Sequence, residues 1–154
     1  MFRVSSEPLD PAELRRLLAD PAAGACAVFE GWVRETNEGR PVRSLDYEAH
    51  RGLAEKEGAL ILAEAAGKFS LRKAVCAHRT GSLALGELAV WVGVSAGHRG
   101  EAFGACRYII DEIKARLPVW KREHYADGRS AWINCAIRGP ATESGAPPGP
   151  WWAY

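Results

Sequence analysis

One amphipathic stretch that ends at a proline constrains this chain more than any other. Ala102, Cys106, Ile109, Ile113 and Leu117 recur at spacings of four, three, four and four, which puts them on one side of a helix of period 3.6. Ser95, beside the end of an apolar run, is the expected N-cap. Pro118 supplies the stop, because it lacks an N–H and steers Leu117 away from helical geometry. Basic residues bracket the helix, with His98 and Arg99 in front and Lys114, Lys121 and Arg122 behind. Cations at a helix N-terminus oppose the macrodipole, whereas the free N–H groups there attract anions. The His-Arg pair therefore costs less stability when an anion lies between it and those amides.

Arg99 and Lys114 are 15 positions apart, roughly 22 Å along an unbroken helix. Two side chains of one protomer do not close that gap on a small ligand. Three arrangements remain: one long ligand, two separate sites, or two copies of the chain that bring the front of one helix to the back of the other.

The rest of the composition narrows the class. With 154 residues, 47% of them hydrophobic, the chain is long enough to bury one core. A formal charge of +1 argues against a general polyanion binder, so local clusters must do any anion binding. The chain has no run of eighteen apolar residues, and its start, MFRVSSEPLDP, is not built like a signal peptide. A cytoplasmic protein is expected, with no membrane partner. Cys26, Cys76, Cys106 and Cys135 stand singly and read as small buried hydrophobes. No spacing of His, Cys, Asp or Glu marks a metal site.

Taken in order, Phe2 to Ser5 reads as an edge strand, and Asp10-Pro11-Ala12-Glu13 as a capped helix start, with the helix ending near Asp20-Pro21. Ala25 to Arg34 reads as a strand, with Gly31 marking a bulge or a close backbone approach. Glu35 to Pro41 reads as a polar loop, and Val42 to Glu48 as a half-buried strand. Leu53 to Ala66 is helical, closed by Gly67. Lys73 to His78 and Leu88 to Val94 are strands around a short connection flanked by Gly81 and Gly86. Val119 to Tyr125 and Ser130 to Ile137 form a hairpin at Asp127-Gly128. One domain is expected over residues 1–138, followed by a Pro/Gly/Trp-rich tail over 139–154. Strand pairs without intervening helices predict an α+β fold on a largely antiparallel sheet with flanking helices.

Several blocks, in order, resemble the catalytic (large) subunit family of molybdopterin synthase. They are Gly31-Trp32-Val33-Arg34; Glu48, Gly52, Glu55 and Lys56; His78-Arg79-Thr80-Gly81; Val92 to Arg99; Ala102-Phe103; and Lys114 to Glu123. The most specific element is Lys114 and Lys121, seven apart across Pro118-Val119-Trp120. The resemblance implies a single α/β-hammerhead-like domain. It also implies sulfur transfer from the thiocarboxylated C-terminus of a ubiquitin-like small subunit to cyclic pyranopterin monophosphate, which forms the dithiolene of molybdopterin.

By the same resemblance Lys114 and Lys121 are catalytic, His98, Arg99 and Arg34 hold the substrate phosphate, and Trp32, Val33, Arg122 and Glu123 line the pocket. It further implies a homodimer of large subunits with a shared site and a small subunit at each end. No cofactor and no nucleic acid are implied. Three departures stand out: no arginine occupies Ala136, with Arg138 the nearest; His50 stands where tyrosine is common; and Glu35 to Pro41 lacks an Asn-His pair. Two rivals are a catalytically silent relative and a small RNA-binding module. The second is weakened by near-neutral charge.

Overall fold

β-Branched and apolar runs form strands, and Ala/Leu/Glu-rich runs form helices, over residues 1–134, which a computed structural model describes. The order is β1 (Phe2–Ser5), α1 (Pro11–Arg16), β2 (Ala25–Trp32), β3 (Thr36–Asn37), β4 (Arg40–Ala49), α2 (Arg51–Lys68), β5 (Leu71–Arg79), β6 (Gly81–Ala84), β7 (Leu88–Ala96), α3 (Arg99–Arg116), β8 (Val119–Tyr125) and β9 (Ser130–Asn134). The architecture is α+β, and the strands divide between two sheets. Cys135, Ala136, Arg138 and the tail over 139–154 lie outside the described residues.

The first sheet runs β1-β5-β7-β2, antiparallel except for the parallel β1–β5 edge pair. Helices α2 and α3 cover one face, where Ile61, Ala65, Ile109 and Ile113 meet Val92, Val94 and Cys76. Helix α1 covers the other, packing Leu14 and Leu18 on Val75, Ala77 and Trp91. β7 is thus buried on both faces, which explains why its sequence is continuously apolar rather than alternating. The second sheet runs β3-β4-β8-β9, with β6 also paired to β4. Its core is Val33, Val42, Leu45, Leu83, Ala89 and Tyr125.

Several local expectations need correction. Ser95 does not cap α3: β7 continues to Ala96, Ser95 is buried, and His98 takes the N-cap place without a side-chain bond. Helix α1 stops at Arg16, its end tightened by amides of Leu17, Leu18 and Ala19 that bond three residues back. Gly67 does not close α2, which runs on to Lys68. The connection between Gly81 and Gly86 contains β6, because positive φ at both glycines turns the chain and lets Leu83 enter the core. The polar stretch after Arg34 is a tight hairpin, with Glu38 at φ 50° and Gly39 at φ 79°, the left-handed pair that a two-residue turn needs. Cys76 and Cys106 are buried, and burial pushes both thiols up, Cys106 to about 11. Cys26, on the edge strand β2, is exposed instead.

Other readings match. Asp10 caps α1 by accepting from the Ala12 and Glu13 amides. At Gly31 the β2–β7 register shifts, and an added Cβ would lie 2.7 Å from Val90. In β5, His78 and Arg79 are buried, with His78 Nδ1 donating to the Arg79 carbonyl at 2.8 Å.

Candidate active site

The stop at Pro118 builds the site. Leu117 is extended (φ −67°, ψ 127°) and β8 starts at Val119, so the chain turns back within two residues. Lys114, in the last turn of α3, and Lys121, third in β8, therefore come to one cavity of about 300 Å³. Trp32 and Arg34 reach it from the end of β2, Asn37 from β3, Val42, Leu45 and Tyr47 from β4, and Glu123 from β8. Trp32 stands at its rim, 63% exposed. Three cations, Arg34, Lys114 and Lys121, oppose one carboxylate, so the cavity favours an anion.

Glu123 organises the polar wall. It is 2% exposed and accepts from Lys121 Nζ at 2.8 Å, Tyr125 Oη at 2.6 Å and Asn37 Nδ2 at 3.0 Å. Burial alone would raise its pKa, but these donors outweigh burial and hold the carboxyl below its ordinary value. Burial and the Glu123 hydrogen bond push the Tyr125 phenol up to about 12. Arg34 Nη2 donates to Asn37 Oδ1 at 2.8 Å. Lys114 is exposed, with Nζ 5.8 Å from the centroid of the Phe29 ring.

Strand alternation sends Arg122 to the other face of β8. There it bonds Asp46 at 2.8 Å and lies 5.0 Å from the Trp132 ring. His124 and Ser82 bond the same carboxylate. Burial opposes ionisation of Asp46, yet these hydrogen bonds hold its carboxyl far below the usual range. Val33 is 3% exposed and belongs to the core of the second sheet. His98 and Arg99 are exposed at the far end of α3, which runs unbroken from Arg99 to Arg116. Within one protomer the structure thus brings together Trp32, Arg34, Lys114, Lys121 and Glu123. It leaves Val33, Arg122, His98 and Arg99 outside that group.

Sequence reasoning missed Asn37, Tyr47 and Tyr125. The alternation of Lys121, Glu123 and Tyr125 along one strand face was a usable signal for the last. Asn37, two residues before Gly39, carried only the signature of a turn. Among the described residues no group of three or more His, Cys, Asp or Glu is arranged to hold a metal ion. Nor is any helix there long and apolar enough to cross a membrane.

Known proteins resemble this chain over most of its length. The family described as MoaE protein matches residues 4–116. A molybdopterin synthase catalytic subunit of Oryza sativa subsp. indica is 49% identical over 120 residues, 78% of this chain and 62% of that protein. This chain thus spans less than two thirds of that relative's length. A protein of the same name from Nostoc sp. is 39% identical, covering 86% of this chain and 81% of its own length. Among solved structures, molybdopterin synthase from Staphylococcus aureus superposes with a TM-score of 0.82 at 36% identity, covering 86% of this chain and 96% of that one.

Proposed function

This chain belongs to the MoaE family, and on that premise we propose that it is the catalytic subunit of a molybdopterin synthase. It transfers sulfur from the C-terminal thiocarboxylate of a ubiquitin-like small subunit to cyclic pyranopterin monophosphate, and so forms the dithiolene of molybdopterin. One observation carries the reading: Lys114 and Lys121, from a helix end and the following strand, converge with Arg34 and Trp32 on a cationic cavity of about 300 Å³. A phosphorylated pterin needs fixed cations and a flat apolar surface, which Arg34 and the exposed Trp32 offer.

The two lysines divide the work. Glu123 stays a carboxylate and fixes Lys121 Nζ at 2.8 Å, a basic side chain held in place for the anion that develops during transfer. Lys114 has an exposed side chain at the rim. It takes the place nearest the incoming thiocarboxylate, where it meets the carbonyl and moves a proton. The sulfur arrives on the partner's tail, so no cysteine of this chain is required. His98 and Arg99 of a second copy complete the phosphate site in a homodimer, a reading supported by the length of α3. We propose further that one domain spans residues 1–138.

The test is sulfur transfer in the presence of a thiocarboxylated small subunit and the cyclic pterin. Lys114→Ala abolishes turnover and Lys121→Ala strongly reduces it. Normal turnover by Lys114→Ala would remove the role assigned to that residue.

A further inference from the structure

We infer that Asn37 is a positioning residue that locks two cationic groups of the cavity into one unit, an inference that rests on the catalytic-subunit reading for its kinetic consequences. A carboxamide offers a donor and an acceptor on one short side chain. Here Nδ2 donates to Glu123 and Oδ1 accepts from Arg34. Only this orientation satisfies both neighbours, since a carboxylate only accepts and a guanidinium only donates. Asn37 thereby joins Arg34 to Glu123, and Glu123 in turn holds Lys121 at 2.8 Å.

The backbone around Asn37 is tied down from three sides. The two-residue turn at Glu38 and Gly39 pairs Asn37 with Arg40. The Arg40 guanidinium lies 3.6 Å from the Tyr125 ring centroid, and Tyr125 itself donates to Glu123. The Ala126 amide also bonds the Pro41 carbonyl at 3.0 Å. The hairpin is therefore fastened to the strand that carries Lys121 and Glu123. Loss of the amide frees Arg34 from its partner and removes one of the three donors that keep Glu123 ionised and aimed at Lys121.

Two readouts test this, one of which needs no substrate. Trace acetylation by acetic anhydride, read at Lys121 by peptide mass spectrometry, rises several-fold in Asn37→Ala, as it does in Glu123→Gln. In the sulfur-transfer assay Asn37→Ala loses about tenfold in kcat/KM, the size of one hydrogen bond to a charged group. Its kcat share vanishes in a Glu123→Gln background, because it acts through that carboxylate, while its KM share persists through Arg34. Asn37→Asp keeps the turn and the acceptor for Arg34 but sets a second carboxylate against Glu123, so it reproduces the kcat loss if the alanine variant does not fold. Unchanged Lys121 acetylation in both Asn37 variants, or a kcat loss undiminished in the Glu123→Gln background, overturns the inference. Raised acetylation in a protein whose wild type transfers no sulfur supports the positioning of Lys121 and removes the catalytic-subunit reading instead.

Discussion

A carboxylate as buried as Glu123 ordinarily takes up a proton to escape desolvation. Here Lys121, Tyr125 and Asn37 supply donors enough to keep it charged. Its folded pKa lies below its ordinary value of 4.5, so the stability it contributes is present above about pH 4.5 and is lost as pH falls through the folded value. Glu123→Gln should therefore lower stability at pH 7 by about 1–3 kcal/mol, with the gap closing in acid. Urea denaturation across that range checks the sign, and a gap that stays constant down to low pH would contradict it. The two lysines should separate in the same assay. Lys114→Ala changes stability within about 0.5 kcal/mol because its side chain is exposed, whereas Lys121→Ala leaves a buried carboxylate short of its main donor and costs about 1–3 kcal/mol.

Helix α2 shows how one residue type acts in opposite directions within an element. A Cβ added at Gly58 would come within 2.3 Å of the Phe2 ring on β1, whereas one added at Gly67 meets nothing within 4 Å. Alanine gains about 1 kcal/mol over glycine in a helix interior. At Gly67, in the last turn of the helix, part of that gain stands, so Gly67→Ala should raise the melting temperature by about 1–2 °C. At Gly58 overpacking of about 1–3 kcal/mol exceeds it, and Gly58→Ala should melt lower than wild type. Calorimetry of the two variants side by side decides the point; a Gly58→Ala protein more stable than wild type would mean that β1 shifts freely. Helix α3 is held differently. Arg116 reaches Glu57 and Glu64 of α2 and Glu112 of its own last turn, which fastens the end of the helix that carries Lys114.

At the scale of the whole molecule, Arg99 and Lys114 sit at opposite ends of one unbroken helix, so a shared cavity needs two protomers. Mixing Arg99→Ala with Lys114→Ala chains should restore part of the sulfur-transfer activity, because some heterodimers then hold one intact site. No recovery in a mixture shown to exchange subunits would count against sharing. Much of the fold was legible in the chain. The four-three-four spacing of α3, the alternation of β4 and β8 and the stop at Pro118 each follow from a local period or a local steric rule, and together they put Lys114 and Lys121 on either side of a turn. Asn37 and Glu123 are a different case. They meet from 86 residues apart, and Asn37 lies in a hairpin whose residues read as a polar loop. Which face of β8 looks into the cavity, that Glu123 is buried there while Arg122 turns to Asp46, and that Val33 enters the core all depend on how β4 and β8 come into register and how the second sheet closes over the end of α3. A chain records its own periods because those are set by each residue's nearest neighbours; strand partnership and burial are set by residues far along it, and only the folded molecule decides them.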